Sequence, residues 1–279
     1  MVIVVFIYIE CLTMPIKLIF CTLAFILLNS SCAREGNSYA RIKENSFQLA
    51  SKSFLPTKGT GPKITLLGVI HIGEERYYRE IQAILNKADL VLFEGIGNQA
   101  ERDEIKKNCP QMLKANINAQ HKKSAKNLEL VFQQKIIEHG GDKFVHADVT
   151  RMQLFDALKI APNKPLCERL KVEEEQKEQP RDAKAPPADI ARNSLAFALS
   201  KSLSHEKNEF TTEDDEAIIF YRNQVLMKKL GEYLPRYSSG QEIVILFGAG
   251  HMPDIEASLL NMDYSFSETK WFSAFGLLN

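Results

Sequence analysis

Three short runs limit what this chain can fold into: Lys63 to Ile70 (KITLLGVI), Ala88 to Phe93 (ADLVLF) and Glu242 to Phe247 (EIVILF). Each is too short for a stable helix and apolar at consecutive rather than alternate positions, as strands covered on both faces read. Between the first two, Glu74 to Lys87 carries Tyr78, Ile81, Ile84 and Leu85 at helical spacing, which completes a βαβ unit. Phe144 to Ala147 is a shorter candidate strand, behind an amphipathic helix through Leu128, Leu130, Val131, Ile136 and Ile137. A helix from about Thr212 to Leu234 leads into the last strand, and Tyr264 to Phe266 with Lys270 to Phe272 reads as an edge hairpin. The expected fold class is α/β, with a mostly parallel central sheet flanked by helices.

The organisation follows from the segments between these runs. Residues 18 to 28 (LIFCTLAFILL) are apolar, follow Lys17 and precede Asn29, Ser30, Ser31 and Cys32, the layout of a secretory signal peptide over residues 1 to 32. A start at Met14 makes this leader compact, with Lys17 as its positive flank. Ser31-Cys32 is similar to a bacterial lipobox, in which Cys32 is acylated; the alternative is ordinary cleavage near Ser31. The expectation is export to a bacterial periplasm or cell envelope, with the membrane reached through a lipid on Cys32 or an uncleaved leader. Residues 33 to 62 read as a polar tether, residues 63 to 275 as the α/β domain, and about 162 to 187 as a mobile insertion poor in large apolar residues. Beyond the leader only Cys109 and Cys167 remain, free or joined to each other.

Charge excludes one class of partner. Lys plus Arg and Asp plus Glu both count 35, and the leader carries one of each, Glu10 and Lys17, so no basic field attracts nucleic acid.

In an open parallel sheet, ligands bind beyond the carboxyl ends of the strands. Those ends read Gly68-Val-Ile-His71, Phe93-Glu94-Gly95, His146-Ala147-Asp148 and Gly248-Ala-Gly-His251. Two Gly-x-x-His motifs, each directly after a strong strand, are uncommon by chance in a chain with 6 histidines. Neutral imidazole with carboxylate oxygen is the ligand set of Zn, Mn, Co or Fe, and three protein ligands with an open position describe a catalytic metal site. His71, Glu94 and His251 fit that description. Asp148 is either an orienting partner for an imidazole or a helix cap. Glu74 and Glu75, just after His71, are either a general base or first-turn acids favoured by the helix dipole. His146 reads as structural, and His121, His139 and His205 read as solvent-exposed. Gly95-Ile-Gly97-Asn-Gln-Ala100 matches a relaxed dinucleotide fingerprint but lacks the acid-ending strand that should follow it.

Taken together, GVIH, the VLFEG strand end, Arg222-Asn223 in a late helix and FGAGHMPDIEASL with Trp271 downstream resemble the TraB/GumN family, grouped with the Tiki metalloproteases and ChaN-like proteins. The resemblance covers about residues 63 to 275, with Val69-Ile70 where the family's first motif carries a Thr. It implies an α/β fold and a divalent metal (Mn, Co or Zn) held by His71, Glu94 and His251. It also implies catalytic roles for Glu94 and for Arg222, the latter on a substrate carboxylate or an oxyanion. The implied activity is a metal-dependent hydrolase of peptides or proteins; the alternative is a binding module that sequesters a peptide, haem or iron in the same cleft.

Overall fold

The computed structural model describes residues 38–113, 117–176, 186–203 and 216–278. The expected leader, Cys32 and residues 33–37 lie outside the described residues, as do His205 and residues 177–185 of the expected insertion.

In chain order the elements are β1 (Ala40–Lys43), β2 (Ser46–Pro56), β3 (Lys63–Val69), β4 (Ile72–Gly73), α1 (Glu75–Lys87), β5 (Leu90–Phe93), α2 (Gln99–Asn108) and α3 (Ile117–Asn127). Then follow β6 (Val131–Phe132), β7 (Phe144–His146), α4 (Arg151–Ala157), α5 (Leu166–Gln176), α6 (Ala188–Leu203) and a π-helical turn (Glu216–Tyr221). The chain closes with α7 (Arg222–Tyr233), β8 (Glu242–Gly248), α8 (Met252–Asn261) and β9 (Tyr264–Gly276).

The fold is α/β with a seven-stranded mixed sheet. Strands β3, β8, β5 and β7 lie side by side and parallel, with Lys63 opposite Glu242 and Phe93 opposite both Leu246 and His146. Alternate residues of these strands enter two different cores, which is why the runs are apolar throughout. Val244 and Leu246 join Leu67 and Val69 beneath Tyr77, Tyr78, Ile81 and Leu85 of α1. Ile243, Ile245 and Phe247 join Ile64 and Leu66 beneath Leu226 and Leu230 of α7 and Ile255 and Leu259 of α8. Fully burying each such Leu, Ile or Val is worth roughly 1.5–3 kcal/mol, so the strands are fixed by both layers of helices.

Three expectations are corrected here. Residues 46–56, read as part of a tether, form β2, which pairs antiparallel with β9 along one side and with β1 and then β3 along the other. Its polar letters misled because Ser51, Ser53 and Lys52 are buried, Lys52 against Glu256 at 2.8 Å and over the Tyr39 ring at 4.3 Å. The segment through Leu128 to Ile137 is not a helix: β6 pairs with β4 as a separate two-stranded ribbon, and a 3-10 turn follows. The expected hairpin is instead the single strand β9, which runs antiparallel to β2 over its whole length.

Part of the expected insertion is also ordered. Leu166 to Gln176 form α5, whose Leu166, Arg169 and Leu170 are buried in a satellite cluster with Ile105 and Phe155. A Cys109–Cys167 disulfide pins α5 to the end of α2. Among the described residues, no helix is long and apolar enough to cross a membrane.

Candidate functional site

Strand β8 comes last of the parallel strands in sequence yet lies between β3 and β5. The connection from β3 through α1 to β5 passes over one face of it, while α7 and α8 cover the other. The strand order therefore reverses here, and such a switch point is where open α/β sheets bind ligands. His71, Glu94 and His251 all belong to the ends of these three strands.

Glu94 is the centre of the arrangement. Its Oε1 accepts from Arg222 Nη2 at 2.6 Å, its Oε2 accepts from the Gly248 amide at 2.6 Å, and His251 Nε2 lies 3.8 Å from Oε1. Burial alone would raise this carboxyl, but the Arg222 guanidinium, with smaller contributions from His251 and His71, holds it down at about 2. At neutral pH the two imidazoles are uncharged, so the guanidinium is the effective partner. Gly248 earns its place by close approach: a Cβ there would meet Glu94 Oε2 at 3.2 Å. Its φ of −54° is open to any residue, so space rather than backbone freedom selects glycine.

Arg222 is buried, and Nε and Nη2 are fully engaged. Nε and Nη2 grip Asp148 at 2.9 and 2.6 Å, Nη2 also reaches Glu94, and Nη1 points to the Ile218 carbonyl at 3.4 Å. Burial opposes the charge, but the hydrogen bonds to Asp148 and the field of both carboxylates push the guanidinium further up. Arg222, expected on a substrate carboxylate or an oxyanion, is here the counter-ion that fixes Glu94. Asp148 likewise orients Arg222 rather than an imidazole, and accepts from the Gly95 and Val149 amides at 3.0 and 2.7 Å.

The imidazole partner is Asn223, one residue along from Arg222. Its Nδ2 donates to Asp254 Oδ2 at 2.8 Å, which orients the amide, and its Oδ1 then accepts from His251 Nδ1 at 2.7 Å. The proton of neutral His251 is thereby placed on Nδ1, leaving the Nε2 lone pair towards Glu94. Burial lowers the His251 pKa to about 4, against the opposing pull of Glu94. The π-helical turn before Arg222 brings these two consecutive residues to the rim together, as such turns often do at functional sites.

His71 is half-buried on the loop between β3 and β4. Burial lowers its pKa, Glu94 opposes this, and Arg222 adds to it, so the ring lies within the same field. Its carbonyl accepts from the Gln133 amide at 2.8 Å, and its ring stacks on His121 at 4.6 Å between centroids. His121, expected in solvent, instead lies between His71 and Phe132, with its pKa lowered to about 4 first by burial and then by His71. His139 is exposed, as expected, with its ring 4.6 Å from that of Phe93.

Other candidates fall outside the site. His146 Nε2 bonds the Gly95 carbonyl. Glu74 Oε1 accepts from the Gly276 amide at 2.8 Å, tying α1 to β9, and Glu75 pairs with Arg79 on the surface. Among the described residues, no three His, Cys, Asp or Glu side chains stand ready-spaced around an ion. The donor chemistry at the rim nevertheless suits one: an oriented neutral imidazole, a second imidazole of lowered basicity, and an ionised carboxylate.

No protein-family model, curated protein or solved structure matches this chain.

Proposed function

We propose that this protein is a metal-dependent hydrolase acting on peptides, of the TraB/GumN kind that its strand-end motifs resemble. The observation that carries the reading is the orientation of His251: Asp254 fixes Asn223, Asn223 holds Nδ1, and Nε2 faces Glu94 across 3.8 Å. A purely structural buried histidine has no need of a free nitrogen beside a carboxylate.

His71, Glu94 and His251 would hold a divalent ion, Mn, Co or Zn. When bound, such an ion lowers the pKa of its water to near 7 and polarises a carbonyl. The chain's own residues supply the rest. Arg222 keeps Glu94 ionised, and a carboxylate held at about 2 is a weak base, so Glu94 suits ligation better than proton abstraction. The Cys109–Cys167 bond supports export to an oxidising compartment, as the leader implies.

A second reading has its own support: with both Glu94 oxygens engaged, the same rim serves a module that binds a peptide, haem or iron without turnover. Metal analysis of the purified chain, followed by incubation with a peptide library, separates the two. Stoichiometric metal and cleavage, both lost in His71→Ala and His251→Ala, is the expected result. Metal without cleavage favours the binding module, and the absence of both metal and cleavage overturns the metal site.

A further inference from the structure

The α1-covered face of the sheet changes character along its length. Towards the strand ends that carry His71 and His251 it is built of Leu49, Leu67 and Val69, whereas towards the start of β3 and β8 the same face carries Ser51, Ser53 and Thr65. All three hydroxyl residues are buried, and Ser53 and Thr65 are a cross-strand pair whose oxygens lie 2.9 Å apart. Thr65 donates in turn to Glu242 at 2.6 Å, and Glu242 pairs with Lys63 at 2.9 Å. Small side chains here do not fill the space beneath α1, and a cavity of about 320 Å³ remains at the end of the molecule opposite the histidines.

Its lining has three parts. The floor is the hydroxyl group just described, the wall is Ile84 and Phe272, and the rim carries Lys87 and Lys270. Lys270 stands opposite Ser51 in the β2–β9 register and, among the described residues, pairs only with the half-exposed Glu268, at 3.4 Å. Lys87 makes no ion pair among the described residues. The rim thus places two ammonium groups, Lys87 and the Lys270 that shares an open contact with Glu268, next to an apolar wall, over a floor whose own charges already cancel. That size is within the range of small-molecule sites, and an apolar surface with a few convergent polar groups is how such sites are made.

We infer that this cavity is a second binding site, separate from the histidine rim, for a small amphipathic organic anion. The anionic head sits between Lys87 and Lys270, and the short apolar tail lies on Ile84 and Phe272. Neither a neutral alcohol nor a bare inorganic anion satisfies both parts.

The test is calorimetric titration of the purified chain with hexanoate, and in separate arms with 1-hexanol and with inorganic phosphate. Hexanoate is expected to bind saturably and at least tenfold more tightly than either control. The Lys87→Glu, Lys270→Glu double variant, altered only at exposed side chains and checked for an unchanged circular-dichroism spectrum, should lose that binding at least tenfold. His251→Ala should retain it, which separates this site from the proposed metal site. Absence of saturable hexanoate binding, equal binding of hexanol or phosphate, or full binding by the double variant each overturns the inference.

Discussion

Asn223 Oδ1 and His251 Nδ1 lie 2.7 Å apart, and the Asp254 carboxylate on the far side of the amide decides which of them donates. An ionised carboxylate only accepts, so the amide must turn its NH₂ to Asp254 and its oxygen to the imidazole. Removing this orienting chain should weaken metal binding without deleting a ligand. Asn223→Leu is expected to lower the affinity for Co(II) by about 10- to 100-fold, as loss of a ligand's orienting partner does. Asn223→Asp keeps the acceptor and should retain most of it. Titration followed by the visible Co(II) spectrum reads both; equal affinity in Asn223→Leu would show that His251 needs no support.

Arg222 is the second pillar of the site. Its guanidinium is the shared counter-ion of Glu94 and Asp148, with side chains 5%, 19% and 0% exposed respectively. Arg222→Ala strands two carboxylates in a poorly solvated setting, and breaking a buried pair in this way costs about 3–5 kcal/mol. Arg222→Lys restores the charge but not the fork that grips Asp148 through two nitrogens, so it should recover only part of the loss. Urea denaturation of the three proteins checks the order: wild type, then Lys, then Ala.

The parts of this arrangement readable in the sequence are those fixed by local pattern. Runs apolar at every position mark β3, β5 and β8, and the Gly-x-x-His endings fall at their rim because parallel strands end on one side. What pattern alone does not carry is partnership across the sheet. Ser51, Ser53 and Lys52 look like loop residues, and only pairing with β9 and β3 and the Lys52–Glu256 contact make β2 a central strand. Arg222 and Asn223 stand out as a pair in sequence, but their division of labour, one to the carboxylates and one to the imidazole, depends on where β7 and α8 deliver Asp148 and Asp254. His121 lies in a run of Gln, Lys and Ser letters, and nothing local announces that its ring faces His71.

Acid should destabilise the protein through the same residues. The His251 pKa is about 4 in the folded chain against an ordinary 6.5, so between those values only the unfolded chain takes up the proton and stability falls as pH drops. Glu94, at about 2 against an ordinary 4.5, contributes stability that is complete above 4.5 and is lost on descending towards 2. The two windows join, so with chelator present the urea midpoint should decline continuously from pH 6.5 downward, by the equivalent of a few kcal/mol in all. His251→Phe should make the upper part of the profile shallower, the remainder there coming from His121, whose pKa is also about 4, and should leave the lower part. A wild-type midpoint constant from pH 7 to 4 would mean that both His251 and His121 take up protons in the folded protein.

The disulfide makes a prediction that does not depend on the rim. Cys109 and Cys167 are 58 residues apart in sequence, and the bond holds α5, whose Leu166 and Leu170 belong to a small satellite core rather than the main one. A cluster of that size has little apolar area to hold it, so restriction of the unfolded chain carries much of its stability. Closing a loop of this length is worth about 4 kcal/mol in the chain-entropy description. Reduction by dithiothreitol, or the Cys109→Ala, Cys167→Ala variant, should lower the urea midpoint accordingly. Amide exchange should quicken first in α5 and the end of α2, while β8 stays protected, because the satellite core opens before the sheet does. An unchanged midpoint on reduction would show that the two sulfurs are not joined in solution, and would remove the support that this bond gives to export.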